Sequence, residues 1–75
     1  TIIRPGGLKE DEIIEDQNVL YSNEDTQTEG SIPRRLVARC CVEAIKNKES
    51  INKTIEITSS KEYKKIAFQK AIQSF

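Results

Sequence analysis

Three observations on this 75-residue chain predict an α/β fold with parallel strands. Residues 33–46 place apolar side chains at helical spacing, and residues 53–58 alternate with period two and are rich in β-branched residues. The short β-branched run Thr1-Ile2-Ile3-Arg4 is cut off by Pro5-Gly6-Gly7. Strands that alternate with helices pair in parallel and stack in layers. A few parallel strands cannot cover both faces of their own sheet. The expectation is therefore the late strands and two helices of a larger sheet, incomplete on its own.

The elements follow in chain order. Thr1 to Arg4 reads as the end of a buried strand, and Gly6-Gly7 either as a turn that needs positive φ or as backbone left bare for a ligand. Residues 9–16 are acidic around one apolar pair, Ile13-Ile14, and read as a solvated loop. Their spacing lacks the alternating Asp/Asn and central Gly of a calcium loop, so no metal is expected there. Asn18 to Tyr21 reads as a short strand. The wholly polar stretch Ser22 to Gly30 must lie exposed or touch something polar.

Pro33, with no N–H and φ already set, suits a first helical turn. Leu36, Val37, Cys40, Cys41, Ala44 and Ile45 then form one stripe assigned to the core. Arg34, Arg35, Arg39, Glu43 and Lys46 are left to solvent or a partner. Asn47 is expected in the left-handed conformation that ends helices, and Ile51 is expected to anchor the polar segment after it. Lys53 to Thr58 is a strand with Ile55 and Ile57 on one face. Ser59 and Glu62 match a capping box, which opens an amphipathic helix over residues 60–74.

Composition bounds the function. Four aromatic residues and no Trp or Met leave few large side chains for a core. A domain this small buries only about 60% of its unfolded surface. Both features, with a start inside an apolar run, point to a fragment. Net charge is zero, but residues 1–31 hold two bases against eight acids and residues 32–75 ten bases against four. The halves should attract. The bases are dispersed among acids without interleaved aromatics, so nucleic acid is not expected as a partner. No apolar run approaches the ~20 residues of a membrane span, nothing resembles a signal peptide, and the chain reads as soluble. Neighbouring Cys40 and Cys41 diverge by about 100° on a helix, which disfavours a bridge between them. Without His or a CxxC spacing they read as two small buried thiols in a reducing compartment such as the cytoplasm.

Three blocks, taken together, resemble a known family. Thr1-Ile2-Ile3-Arg4-Pro5-Gly6-Gly7-Leu8, then Gly30-Ser31-Ile32-Pro33-Arg34 leading through Val37-Ala38 to Cys41-Val42-Glu43-Ala44-Ile45, then Asn52-Lys53-Thr54-Ile55-Glu56-Ile57, stand in order and at fitting spacing. They resemble the C-terminal third of atypical, NmrA-like short-chain dehydrogenase/reductases of bacteria, cyanobacteria and plastids. Leu36 stands where members often carry Asp, and Asn52 where Gly commonly precedes the Lys-Thr pair; Asn tolerates the left-handed turn. The resemblance implies a Rossmann-like, doubly wound domain with NAD or NADP across the carboxyl ends of its strands. Residues 1–75 would be the C-terminal segment of that one domain, with its nucleotide-binding half absent. Pro5, Gly6 and Gly7 would line the nicotinamide and substrate end of the cleft, and Leu8 would be a pocket wall.

The implied function is that of a C-terminal part of an NAD(P)-binding oxidoreductase-like protein. Neither Tyr21 nor Tyr63 is followed four residues later by Lys, so no Tyr-x-x-x-Lys dyad is present and these residues alone should not catalyse hydride transfer. The alternative is a non-catalytic scaffold or assembly factor, in a photosynthetic complex, that works through its surface. The partners expected are the remainder of the same domain and, for the scaffold, a protein in a larger complex.

Overall fold

The computed structural model describes residues 1–10, 17–27 and 29–75; most of the acidic run 9–16, with its expected loop, lies outside them. The described elements are β1 (Ile2–Pro5), β2 (Gly7–Lys9), β3 (Asn18–Ser22), β4 (Ser31–Pro33), α1 (Arg34–Lys46), β5 (Thr54–Ser60) and α2 (Phe68–Ile72), with a 3₁₀ turn at Lys48–Ser50. The fold is mixed α/β. One sheet has the order β1-β5-β3, and β2 pairs with β4 in a second, two-stranded sheet.

β1 and β5 are parallel, with Ile3 opposite Ile55, and β2 and β4 are parallel as expected. β3 departs from the all-parallel expectation and runs antiparallel to β5, Leu20 opposite Thr58. The cause is the polar connection after Ser22, which reverses the chain without a crossover helix before it enters β4. α1, between β4 and β5, lies within the long connection that joins the parallel pair β1 and β5.

The core joins Ile32, Leu36, Cys40 and Ala44 to Ile55, Ile57, Phe68 and Ile72. Ile55 and Ile57 are fully buried on one face of the central strand, as the alternation predicts. Several expectations fail. α1 begins at Arg34, and Pro33, still extended at ψ 143°, closes β4 and caps the helix instead of filling its first turn. The apolar stripe divides: Leu36, Cys40 and Ala44 face the sheet, whereas Cys41 is exposed and Ile45 is 86% exposed. A helix lying on a sheet buries one i, i+4 line fully, and the neighbouring line needs a second neighbour. β1 is likewise mostly exposed, because it is an edge strand with Ile2 58% accessible.

Asn47 is extended (φ −116°), and in this segment positive φ falls at Asn52, at 63°. Ile51 is exposed, and the buried anchor is Ser50, whose hydroxyl donates toward the carbonyls of Ala44 (2.8 Å) and Asn47 (2.7 Å). The capping box is absent: Ser59 and Ser60 belong to β5, and the Ser60 hydroxyl accepts the Glu62 N–H within a turn. Strand pairing of β5 with β3 claims these serines, and Asn18 Nδ2 donates to the Tyr63 carbonyl at 2.8 Å. Tyr63 is thereby held outside any helix, and α2 is confined to Phe68–Ile72. Phe68 and Ile72, one turn apart, carry its buried face.

Candidate functional site

At the carboxyl end of β1 a cleft of about 270 Å³ opens between β1, β5 and the loop before β4. Pro5, Gly6, Gly7, Gly30 and Thr58 line one part of it, and Arg4, Gln27, Glu29 and Glu56 supply its polar groups. Within one residue step the chain changes strand partner here. The Gly6 N–H donates to the Ile57 carbonyl at 2.9 Å, and the Gly7 N–H to the Gly30 carbonyl at 3.0 Å.

That switch, rather than a turn with positive φ, gives a structural reason for glycine at Gly6. Its φ is not positive, and no turn requires glycine at Gly7. A Cβ on Gly6 would lie 2.7 Å from the Gly30 oxygen and 2.9 Å from Thr58 Cγ2, so the backbones can approach only where no side chain intervenes. Among the glycines it is Gly30 whose φ is positive, at 129°, and its own Cβ would meet Thr58 Cγ2 at 2.7 Å. Gly7 has more room, the nearest atom being the Gly30 oxygen at 3.6 Å.

Glu56 occupies the centre of the site. It is a buried carboxylate on the face of β5 opposite Ile55 and Ile57, and it accepts N–H bonds from Gln27 (2.8 Å), Asp25 (2.9 Å) and Thr26 (3.1 Å). Arg4 reaches it at 3.5 Å and also bonds Asp25 at 3.2 Å. The Gln27 main-chain N–H, ahead of the other two donors and the Arg4 charge, holds the Glu56 carboxyl below its ordinary range against the opposing effect of burial. The polar loop thus touches something polar, and its acids Glu24 and Asp25 meet Arg4 within the same half of the chain, so these ion pairs do not join the two oppositely charged halves.

Pro5, Gly6 and Gly7 are brought together on the cleft wall. Leu8 is not among the lining residues: it sits in β2 opposite Ile32, half-exposed. Sequence reasoning missed Glu56, Gln27 and Gly30. The available signal was a carboxylate between two buried isoleucines, together with a nine-residue polar stretch that had to satisfy its amides somewhere.

A second concavity, about 480 Å³, lies along the start of α1 and is lined by Arg35, Arg39 and Lys65 with Gln17 and Asn18. Beneath the helix the Cys40 thiol is pushed up to about 11 by burial, and burial likewise raises the Tyr21 hydroxyl that hydrogen-bonds it. These two are core groups, remote from the cleft lining.

Comparison with known proteins places this geometry. The NAD(P)H-binding family matches residues 1–48, which is 48 of 75 positions. The chain belongs to the NAD(P)H-binding family. The match covers β1 to α1, and thus every lining residue of the cleft except Glu56 and Thr58 of β5. Over 69 residues the chain is 46% identical to an uncharacterized chloroplastic protein of Arabidopsis thaliana, an alignment that covers 92% of this chain and 24% of that protein. The chain therefore spans about a quarter of the length of the curated relative it matches. No solved structure matches it. Among the described residues no helix is long and apolar enough to cross a membrane.

The lining chemistry suits one end of such a cofactor. A diphosphate needs N–H donors or unengaged cations. Here the N–H groups of Gly6 and Gly7 are bonded to carbonyls, those of Asp25, Thr26 and Gln27 to Glu56, and Arg4 is held by Asp25 and Glu56. The glycine wall presents bare backbone that a flat ring can approach, and these bonded N–H groups are not on offer to a diphosphate.

Proposed function

We propose that residues 1–75 form the C-terminal segment of a single Rossmann-like, doubly wound NAD(P)-binding domain in an oxidoreductase-like protein of the atypical short-chain dehydrogenase/reductase type. The observation that carries this reading is the position of the glycine-walled cleft, at the carboxyl end of a parallel strand within the family-matched stretch. Ligands of open α/β sheets bind at that end of the strands. When bound, the dinucleotide supplies or accepts a hydride at its nicotinamide ring. Pro5, Gly6 and Gly7 form the wall against which the ring lies, with Gly7 the position of closest approach. Gly6, Gly30 and Thr58 keep that wall rigid, and Glu56 with Arg4 fixes the loop that closes it. The diphosphate and ribose are held by the rest of the polypeptide, and Leu8 meets the substrate only through groups which that remainder contributes. The chloroplastic relative supports a plastid compartment, the stroma.

The test is a fluorescence titration of the longer polypeptide with NADH and NADPH. Saturable binding of one of them is expected, weakened at least about tenfold by Gly7→Ala with an unchanged melting temperature, since a Cβ at Gly7 meets no atom closer than 3.6 Å. Binding of neither dinucleotide removes the reading. Binding without any hydride transfer favours the scaffold alternative.

A further inference from the structure

The polar groups of the cleft are unequally engaged. Glu56 is closed over by three main-chain N–H groups, and Arg4 is shared among Glu24 (3.9 Å), Asp25 (3.2 Å) and Glu56 (3.5 Å). The Gln27 amide bonds the Leu20 carbonyl at 3.0 Å and the Ser22 hydroxyl at 2.7 Å. Two groups remain. Among the described residues, Glu29 is an exposed carboxylate on the cleft lining with neither a hydrogen bond nor an ion pair. Thr58 lines the same cleft at 2% exposure, and its hydroxyl has no hydrogen-bond partner among the described residues. Its Cγ2 is the atom that a Cβ at Gly6 or Gly30 would strike, so the strand and the glycines hold this side chain in place. A hydroxyl buried to this degree is costly to leave unbonded, which points to an occupant.

Charge narrows the occupant. Arg4 is the one cation on the described lining, and Glu29 and Glu56 there, with Glu24 and Asp25 paired to Arg4, outnumber it four to one. An entering anion meets a negative field and no unengaged cation. We infer that Glu29 and Thr58 are the specificity pair of this cleft, and that its substrate is an uncharged molecule offering an N–H or O–H donor to Glu29 and an oxygen to the Thr58 hydroxyl, not a carboxylate or a phosphate. This rests on the reading of the cleft as the nicotinamide end of the site. An ionised carboxylate only accepts, so it selects donors, and the hydroxyl supplies the complementary donor. A ligand without the matched groups leaves Thr58 unpaired in the cleft wall, which is how such sites discriminate. The carboxamide of the dinucleotide is the competing occupant. Glu29 is exposed, which suits a group that meets a molecule arriving from solvent and leaving again.

The test titrates the longer polypeptide, with and without saturating dinucleotide, with lactamide and with lactate. The two probes share a skeleton and differ in an amide against a carboxylate. Amide chemical shifts of Gly6, Gly7 and Thr58 report the site, and lactamide should bind at least about tenfold more tightly than lactate. Glu29→Gln removes an exposed charge and should bring the two probes within about threefold of each other. Thr58→Val keeps the shape and should weaken lactamide about tenfold with a melting temperature no lower than wild type, because the hydroxyl it removes has no partner in the fold. Equal binding, tighter lactate or no shift from either probe overturns the inference even where a dinucleotide binds. Displacement of lactamide by the dinucleotide gives the pair to the cofactor's carboxamide and overturns it too. If neither dinucleotide binds while lactamide is preferred and both variants act as stated, the proposed function falls and the pair stands as a site for uncharged ligands.

Discussion

The main-chain N–H of Gln27 lies 2.8 Å from Oε1 of Glu56, a carboxylate 29 residues further along the chain. With the N–H groups of Asp25 and Thr26 it forms a cap of three donors around one buried carboxylate, and this fixes the loop that closes the cleft. Glu56→Gln replaces one acceptor with a donor that faces N–H groups. The variant should melt several degrees lower, and the amides of residues 25–27 should exchange faster while those of α1 do not.

The same carboxylate sets a pH dependence. Its folded-state pKa is depressed, so its contribution is fully present above the ordinary carboxyl pKa and is lost as pH falls through the folded value. Thermal melts from neutral pH downward should show the wild-type chain losing stability on acidification, with Glu56→Gln flatter and the two curves converging at the acid end. Parallel curves would contradict the assignment.

At the partner switch the glycines should differ sharply. Gly6→Ala drives a Cβ to 2.7 Å from a backbone oxygen, which can move only with its strand, and should cost about 1–3 kcal/mol in a urea melt. Thr58→Ser removes only the Cγ2 contact and should rescue part of the loss. Gly7→Ala should stay within about 0.5 kcal/mol of wild type.

Tyr21 and Phe68 meet edge to face, centroids 5.4 Å apart at 89°, and dock α2 on the sheet. Phe68→Ala should cost about 3–5 kcal/mol. A double-mutant cycle of Tyr21→Leu with Phe68→Leu should return a coupling of about 1 kcal/mol, measured by denaturant unfolding.

The adjacent cysteines should react unequally in the 75-residue chain. Cys41 is exposed, whereas Cys40 is buried with its thiol pushed up to about 11. Iodoacetamide at pH 8 should therefore modify Cys41 alone, and fragment masses would report the site. Equal modification of both would mean that α1 opens readily.

Local pattern carried far where its cause is local. The period of Leu36, Cys40 and Ala44 marks the buried line of α1, the alternation of Ile55 and Ile57 marks β5, and Asn52 adopts the left-handed turn its side chain tolerates. The block around Pro5, Gly6 and Gly7 leads to the cleft wall and to the family. The capping-box motif at Ser59 and Glu62 misleads, because pairing with β3 competes for the same residues and wins.

By itself the sequence determined the α/β class, the places of α1 and β5, and the polar nature of the loop, since each follows from side chains within one or two turns or strand repeats. Only the tertiary structure decided that Glu56 is buried under three amides, that Gly6 and Gly30 touch, that β3 runs antiparallel, and that Cys41 and Ile45 face outward. Those outcomes depend on which distant backbone comes to lie against each residue. Hydrophobic periodicity states that a face must be covered, and the packing of the whole chain decides by what.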